Sequence, residues 1–346
     1  MASTPESQSG DPVAPAPGKH ELARARVLFA VMTPKASLQP WYGDFVAALN
    51  GAHEVALFDP DKNWDDQFAN VGAVVDLGGF APRELIDAGA AAGVRLWQVL
   101  GYGLDHIDHK YVRSKHIAFA HSPGPCTAIS LAEHAFHLML AIEKRWRASQ
   151  EVLMSGVYGG PFGGELDGQT LGVLGLGASG RALAVRADAF GMKIAAIDAV
   201  APSLPVRLAN FDFLGSVDHL DELLEVADYL SLHLPLTDET YHLIDGRRLA
   251  QMKPTSVIIN VARGALVDED ALVAALESGA LRGAGLDVFE DEPLPLDHPL
   301  MRLENVVLTP HTAGLTRQTS IRRGRLAAAN IRSVLLGGDP VHGVVA

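Results

Sequence analysis

A glycine-rich turn between two apolar segments carries the first residues that could do chemistry. The apolar segment 170–174 is followed by Gly175, Gly177 and Gly180, then by a helical pattern, a second apolar segment and Asp198. This order of strand, glycine turn, helix, strand and acid is the dinucleotide-binding fingerprint. Gly175 would allow the tight turn, Gly177 the approach of a pyrophosphate and Gly180 close packing of helix on strand. Without a ligand the stretch would be only a tight turn, but its complete context favours a bound dinucleotide.

The acid that ends this stretch indicates which dinucleotide is bound. The N–H groups at the start of the helix, with the positive end of its dipole, would receive the pyrophosphate charge. Asp198 would accept hydrogen bonds from the ribose hydroxyls of the adenosine. Its charge would repel the 2′-phosphate of NADP, so we expect NAD rather than NADP.

The bulk properties exclude several classes of partner. The chain has 346 residues, enough for two domains, is 48% hydrophobic and has a formal net charge of −13. That charge argues against nucleic acid or an anionic membrane as the main partner. No apolar run is long enough to span a bilayer. The single cysteine, Cys126, favours the reducing cytoplasm, and residues 1–23, rich in Pro, Ser, Gly and Ala, are expected to form a disordered tail.

Strand and helix patterns alternate along most of the chain. This alternation predicts parallel sheets covered by helices on both faces, and so an α/β fold. The strands predicted between residues 26 and 120 carry no glycine fingerprint, so only one nucleotide site is expected. A single long helix is predicted over 127–147, directly after the Pro-Gly-Pro sequence at 123–125, and a final helix over 316–336.

Seven motifs, in order and including the fingerprint itself, resemble those of the D-isomer-specific 2-hydroxyacid dehydrogenases. They are GYGLDHID (101–108), PGPCTAISLAEHAFHLML (123–140), GVLGLGASGRALA (172–184), LHLPLTDET (232–240), INVARGALVDEDAL (259–272), GAGLDVFEDEPLP (283–295) and NVVLTPHTAG (305–314). The resemblance implies two doubly wound parallel-sheet domains. One is a Rossmann NAD-binding domain over 126–314. The other is a discontinuous flavodoxin-like substrate domain over 24–125 plus 315–346. Relatives are dimers, so a homodimer is expected.

The resemblance also assigns a catalytic triad. By motif match it consists of Arg263 in NVARG, Glu292 in DEP and His311 in TPH. His311 would take the hydroxyl proton of a 2-hydroxy acid, and would return it when a 2-oxo acid is reduced. Glu292 would hold the imidazole in one tautomer and favour its protonated form. Arg263 would bind the substrate carboxylate and carbonyl oxygen. Each residue alone would be interpreted as a loop or ion-pair residue, but the three together in this order indicate hydride transfer.

Further contacts follow from the same resemblance. Ala178 and Ser179 would contact the pyrophosphate, His233 and Pro235 would flank the adenosine, and Thr240 would close over it. Val261 and Asp287 would lie on the nicotinamide side, with Asp287 accepting a hydrogen bond from the carboxamide. The substrate carboxylate would bind to four backbone N–H groups, those of Leu100, Gly101, Tyr102 and Gly103.

Several alternatives stay open at this point. His134 and His137, three apart on a predicted helix, permit metal ligation, although packing is favoured and no metal is expected. Cys126 precedes a helix start, which could lower its pKa, although a small buried residue is favoured. Formate is not the expected substrate, because formate dehydrogenases have glutamine in place of Glu292. A small or apolar 2-oxo acid is expected instead, because the loop 77–80 has no charge for a phosphate, while a phosphite dehydrogenase stays possible. The alternative to an enzyme is an NAD(H)-sensing corepressor of the same fold.

Overall fold

The computed structural model describes residues 25–32, 38–199 and 210–345, so the expected tail at 1–23 lies outside the described residues. The chain forms two compact units. The first contains the described residues up to Leu100, His106–His121 and the chain from Gly324, and the second contains Gly101–Asp105 and Ser122–Arg323. The motifs placed the domain boundaries at 125 and 315, within ten residues of these divisions, and did not separate residues 101–105 from the first domain.

The first unit is built on a five-stranded parallel sheet in the order β2-β1-β3-β4-β5. Its strands are β1 (Arg26–Ala30), β2 (Val55–Leu57), β3 (Val71–Asp76), β4 (Leu96–Val99) and β5 (Ala118–Ala120). This is the flavodoxin strand order. The central strand β3 is buried at every position, because helices cover both faces of a parallel sheet.

Four helices connect these strands: α1 (Trp41–Leu49), α2 (Trp64–Phe68), α3 (Arg83–Ala91) and α4 (His109–Ser114). The sequence patterns did not predict α2 and α4, which are short. Each begins at a polar cap: the Asn63 side chain accepts the Asp66 N–H, and the Asp108 side chain accepts the Tyr111 N–H. Local capping, rather than a long apolar face, therefore defines where these helices start.

The second unit is built on a seven-stranded parallel sheet in the order β12-β11-β10-β9-β6-β7-β8. Its strands are β6 (Thr170–Leu174), β7 (Lys193–Ile197), β8 (Phe211–Gly215), β9 (Tyr229–Leu232), β10 (Val257–Asn260), β11 (Gly283–Leu286) and β12 (Val306–Leu308). The strand order reverses between β6 and β9, which is the topological switch point where open α/β sheets bind ligands.

The helices that follow in the chain are α5 (Ala128–Glu143), α6 (Trp146–Met154), α7 (Ala178–Ala189), α8 (Leu220–Val226), α9 (Gly246–Leu249), α10 (Glu269–Glu277) and α11 (Arg317–Leu335). Fully buried alanines of α5, Ala132 and Ala135, share a core with Leu183 and Ala184 of α7, and small side chains allow this close approach. Helix α11 starts in the second unit and belongs to the first from Gly324 onward.

The single helix predicted over 127–147 is wrong, because the chain breaks between α5 and α6. Arg145 has a φ of 49°, in the left-handed region, which an α-helix cannot contain. The carbonyl oxygen of Glu143 accepts the Gly164 N–H at 2.9 Å, in place of a donor from the next helical turn. A contact with a later loop therefore ends α5, and the local sequence does not reveal that contact. No helix in the described part of the chain is long and apolar enough to cross a membrane.

Candidate active site

The turn after β6 leaves open space at one of its three glycines. Gly175 has a φ of 97°, and a Cβ there would lie 2.6 Å from the carbonyl oxygen of His233. A Cβ on Gly180 would lie 2.1 Å from the carbonyl oxygen of Gly175. A Cβ on Gly177 would meet no atom within 4 Å. The protein's own packing therefore requires the first and third glycines, whereas the space beside the second fits an approaching pyrophosphate.

Helix α7 begins directly after this turn, with Ala178 and Ser179 as its first two residues. Asp198 follows β7, and its Oδ2 accepts a hydrogen bond from the Leu176 N–H at 2.7 Å. The Arg181 Nε donates to the carbonyl oxygen of Leu176 at 2.7 Å. These bonds hold a helix start, which attracts anions, next to an acid at the end of the neighbouring strand. The residues present thus fit the dinucleotide that the fingerprint implies.

His233 follows β9 and lies behind the glycine turn. Its Nδ1 is 3.0 Å from the Ser179 hydroxyl, and its Nε2 is 3.0 Å from the Ser231 hydroxyl. Burial lowers the pKa of His233 to about 4, so the ring is neutral at pH 7. A neutral imidazole ties the first turn of α7 to the centre of the sheet and places no positive charge there.

Residues 235–240, which follow His233, form a turn that is held by hydrogen bonds of one of its own side chains. The Thr240 hydroxyl donates to the carbonyl oxygen of Pro235 at 2.8 Å and accepts the Thr237 N–H at 2.8 Å. Pro235 is exposed, and Thr240 is half-buried. The two residues expected near the adenosine therefore belong to one hydrogen-bonded turn.

The structure joins two of the three expected catalytic side chains. The His311 Nδ1 lies 2.7 Å from the Glu292 Oε2, and the Phe289 N–H donates to the Glu292 Oε1 at 3.2 Å. Burial alone would raise the pKa of Glu292, but His311, the Phe289 N–H and the charge of Arg263 outweigh it and lower that pKa. Glu292 is therefore ionised at neutral pH. Because its partner is Nδ1, the Nε2 of His311 is the ring nitrogen left to exchange a proton with a substrate.

His311 also has an unusual backbone, with a φ of 53°. Left-handed backbone is uncommon outside glycine and persists where the surroundings hold it. The His311 N–H donates to the backbone carbonyl of Asp287 at 2.7 Å. The Asp287 carboxylate accepts the N–H groups of Thr312 and Ala313, each at 2.8 Å, and the Thr309 hydroxyl at 2.5 Å. Both sides of His311 are thus fastened to one residue at the end of β11.

Asp287, which is expected to accept a hydrogen bond from the nicotinamide carboxamide, is also hydrogen-bonded within the protein. Its side chain is fully buried, and both carboxylate oxygens accept hydrogen bonds from residues of the 309–313 segment. Burial alone would raise its pKa, but hydrogen bonds from His134, Thr309 and the backbone lower the pKa of Asp287 overall. Val261, expected on the same side of the cofactor, is buried at the end of β10.

Arg263 follows β10, the strand next to β11. Its Nε donates to Asp105 at 2.6 Å, and its Nη1 donates to the carbonyl oxygen of Ala262 at 2.6 Å. The buried Asn260 fixes this turn, because its Oδ1 accepts the Ala262 N–H at 3.0 Å and its Nδ2 donates to the Arg263 carbonyl at 2.8 Å. Arg263, Glu292 and His311 thus follow three adjacent strands, β10, β11 and β12, at the carboxyl edge of one sheet.

The expected substrate-binding loop contains one donor that is not available. The Leu100 N–H donates to the carbonyl oxygen of Asp76 at 2.8 Å, and the Leu100 side chain is buried. The Leu100 N–H is therefore bonded within the protein, and only the N–H groups of the other three expected residues remain for a substrate carboxylate. Gly101, Tyr102 and Gly103 belong to the second unit, and the Tyr102 side chain is half exposed. A Cβ on Gly103 would lie 1.6 Å from the Arg263 Nη2, so a larger residue there would displace the guanidinium.

Two residues of the site were missed by sequence reasoning. Asn260 precedes Arg263 by three residues inside a recognised motif, and its polar side chain at the end of a buried strand could have identified it. Asp105 lies in the GYGLDHID motif, close to Asp108 and two histidines. Its partner Arg263 lies far along the chain, so no local signal could have found this pair.

The remaining chemical candidates have structural partners. The His134 Nε2 lies 2.8 Å from the Thr309 hydroxyl and 3.4 Å from the Asp287 carboxylate, and its ring centre is 5.9 Å from that of His137. Across the described residues, no cluster of three or more His, Cys, Asp or Glu could hold a metal ion. Burial raises the pKa of the Cys126 thiol, so the idea that a helix start lowers it is wrong.

Comparisons with known proteins agree with this geometry. The family model of the D-isomer specific 2-hydroxyacid dehydrogenase NAD binding domain matches residues 136–313. A glyoxylate reductase from Thermofilum pendens is 40% identical over 264 residues, which cover 74% of this chain and 76% of that protein. The crystal structure of a glyoxylate reductase from Paecilomyes thermophila has a TM-score of 0.73 and 30% identity, and the match covers 92% of this chain and 98% of that one. An NADPH-dependent glyoxylate/hydroxypyruvate reductase from Sinorhizobium meliloti, solved with NADP and malonate, has a TM-score of 0.77 and 26% identity, with 93% and 97% covered.

The fold and the site define a dinucleotide-binding oxidoreductase. The chain belongs to the family of D-isomer specific 2-hydroxyacid dehydrogenases. The resemblance in the motifs is thereby confirmed, together with the two parallel-sheet α/β domains. Because solved structures of this fold include an NADPH-dependent enzyme, family membership alone does not decide between NAD and NADP.

Proposed function

We propose that this enzyme interconverts small or apolar 2-oxo acids and D-2-hydroxy acids, with NAD as its cofactor. The observation that carries the proposal is the 2.7 Å contact between His311 and Glu292, at the same sheet edge as Arg263. An acid–base residue, an ionised carboxylate and a guanidinium are the groups that proton transfer to a bound 2-oxo acid requires.

In this mechanism each side chain has one task. The bound nicotinamide supplies the hydride in reduction and accepts it in oxidation. Arg263 binds the substrate carboxylate and stabilises negative charge as it develops on the carbonyl oxygen. His311 donates a proton from Nε2 to that oxygen, and Glu292 compensates the positive charge of the imidazolium before the transfer. In the oxidative direction the neutral His311 accepts the hydroxyl proton.

The preference for a small or apolar substrate rests on the loop after β3. Residues 77–80 carry no charge, and Phe80 stacks on the His106 ring at 4.3 Å between ring centres. The loop 77–80 thus offers no lysine or arginine to a phosphate or sulfonate group. The names of two relatives, both reductases of glyoxylate, support glyoxylate as the first substrate to assay.

The preference for NAD rests on Asp198. Its carboxylate is held at the end of β7 by the Leu176 N–H and would repel a 2′-phosphate. Residues 200–209, which include Arg207, lie outside the described residues.

The test is NADH and NADPH oxidation by the full-length protein with a panel of 2-oxo acids. The panel contains glyoxylate, pyruvate, hydroxypyruvate, phenylpyruvate and 3-phosphohydroxypyruvate. The proposal expects turnover with NADH of at least one substrate that has no charge beyond its carboxylate, and at least tenfold lower kcat/KM for the phosphorylated one. Binding of NADH without turnover of any member would refute the proposed activity and would favour the alternative, an NAD(H)-sensing binding protein.

We also propose that the enzyme is a homodimer that works in the cytoplasm. Six large apolar side chains are exposed between residues 146 and 162: Trp146, Leu153, Met154, Val157, Tyr158 and Phe162. A concentration of exposed apolar side chains on this scale is typical of a protein interface. Sedimentation equilibrium tests the dimer, and Tyr158→Asp should shift the protein toward the monomer. The single cysteine supports a reducing compartment.

A further inference from the structure

The segment Gly101–Asp105 is fastened to the second unit at both of its ends. The carbonyl oxygen of Gly101 accepts the Ser122 N–H at 2.9 Å. Asp105 forms an ion pair with Arg263 at 2.6 Å, and the absence of a side chain at Gly103 leaves room for the Arg263 Nη2. The segment expected to bind the substrate carboxylate is therefore tied directly to the arginine expected to bind the same group.

The contacts of Arg263 also define which of its donors remain for a ligand. A guanidinium has five N–H donors in a rigid fork. Asp105 occupies Nε, and the Ala262 carbonyl occupies one donor of Nη1. The Nη2 group points at the backbone of Gly103. The remaining donors therefore lie on the Nη edge of the fork, and Asp105 determines the direction of that edge.

The Asp105–Arg263 pair is also sheltered from solvent. Only 24% of the Asp105 side chain and 22% of the Arg263 side chain are exposed, whereas most other ion pairs among the described residues have at least one side chain that is more exposed. Partly buried charge-assisted hydrogen bonds are stronger and better oriented than exposed ones. Such a bond can hold a long side chain in one conformation.

We propose that Asp105 is a positioning residue, which holds Arg263 so that its Nη edge receives the substrate carboxylate. This inference rests on the proposed function of Arg263. Asp105 itself does not touch the substrate and acts only through the arginine. Without Asp105, the guanidinium rotates away from the loop, and misplacement of a binding group by about 1 Å lowers the rate on the order of 100-fold.

Four variants of the full-length enzyme test this proposal: Asp105→Ala, Asp105→Asn, Arg263→Ala and the double variant Asp105→Ala/Arg263→Ala. In glyoxylate reduction with NADH, Asp105→Ala should lower kcat/KM about 10- to 100-fold. Asp105→Asn should lose less, because its amide oxygen still accepts the Nε–H. In the Arg263→Ala background, Asp105→Ala should change kcat/KM less than about twofold, since a positioning residue has no effect without its partner.

Asp228→Asn is the matched control. Asp228 also pairs with a cation, Lys253 at 2.8 Å, and 26% of its side chain is exposed, but it precedes β9 at the opposite edge of the sheet. This variant should keep kcat/KM within about twofold of the wild type, whatever its effect on stability.

A binding measurement separates this inference from the proposed function. Calorimetric titration of the NADH-loaded protein with oxalate measures carboxylate binding without turnover. Asp105→Ala should weaken oxalate binding at least tenfold and leave NADH affinity unchanged. Unchanged oxalate affinity, or an equal loss of kcat/KM with and without Arg263, would overturn the positioning role. Absence of turnover by the wild type would instead refute the proposed function, and the oxalate titration would still decide the role of Asp105.

Discussion

Replacing Glu292 with glutamine removes the charge next to His311 and leaves a side chain of nearly the same size. The Nδ1–Oε2 distance is 2.7 Å, and 48% of the His311 side chain and 36% of the Glu292 side chain are exposed. Because solvent screens such a pair, we use the dielectric constant of water. The Coulomb energy of two unit charges at this distance is then about 1.5 kcal/mol. That energy corresponds to about a tenfold change in a rate constant.

The sign follows from the proton that His311 gives. Reduction of a 2-oxo acid uses a proton from the imidazolium, and the Glu292 carboxylate stabilises that positive ring. The pKa of Glu292 is lowered, so its charge is present at neutral pH. In Glu292→Gln that charge is removed, and kcat/KM for glyoxylate should fall about tenfold at neutral pH.

The assay is kcat/KM for glyoxylate between pH 5 and pH 10. Glu290→Gln is the control, since Glu290 lies two residues away and forms its own pair with His242. In Glu290→Gln, the dependence of kcat/KM on pH should match that of the wild type. A Glu292→Gln profile that coincides with that of the wild type would refute the electrostatic role assigned to Glu292.

Three other perturbations have defined outcomes. Burial lowers the pKa of His233 to about 4, so protonation below pH 6.5 favours the unfolded state. The free energy of unfolding should therefore fall by up to about 3 kcal/mol as pH drops from 6.5 to 4. In urea unfolding, His233→Asn should lose less free energy of unfolding over the same pH range. Asp198→Ala should raise the NADPH-to-NADH ratio of kcat/KM at least tenfold, because the repulsion of the 2′-phosphate is removed; an unchanged ratio would contradict the cofactor assignment. Gly177→Ala should weaken NADH binding but keep the free energy of unfolding within about 0.5 kcal/mol of the wild type. Gly180→Ala should lower the free energy of unfolding, since its Cβ would lie 2.1 Å from a carbonyl oxygen.

The features that could be predicted from the sequence are those encoded by neighbouring residues. The turn that contains Gly175 and Gly180 has its strand, helix and second strand within one continuous stretch, and the structure contains all of them. The α/β class follows from alternating apolar segments in the same way. The proposed catalytic residues were assigned through motifs, each of which is also continuous in the chain.

The features that could not be predicted depend on contacts between distant segments. Helix α5 ends where Gly164 caps Glu143, and no residue near position 143 signals that end. The Leu100 N–H donates to the carbonyl oxygen of Asp76 at the end of β3, although the sequence pattern predicts a loop from Leu100 onward. Asp105 lies in a charge pattern that is typical of a helix start, and only the folded chain brings its side chain into contact with Arg263. Polar residues with a tertiary partner therefore look like ordinary surface residues in the sequence.

The central claim is that His311 transfers the proton in a hydride-transfer reaction. Its most direct test is a single-turnover measurement, in which the NADH-loaded protein is mixed with glyoxylate and the loss of NADH absorbance is followed for the wild type and His311→Asn. The account predicts that His311→Asn binds NADH with unchanged affinity but oxidises it on the order of 10²- to 10⁴-fold more slowly. Equal rates in the two proteins would contradict it.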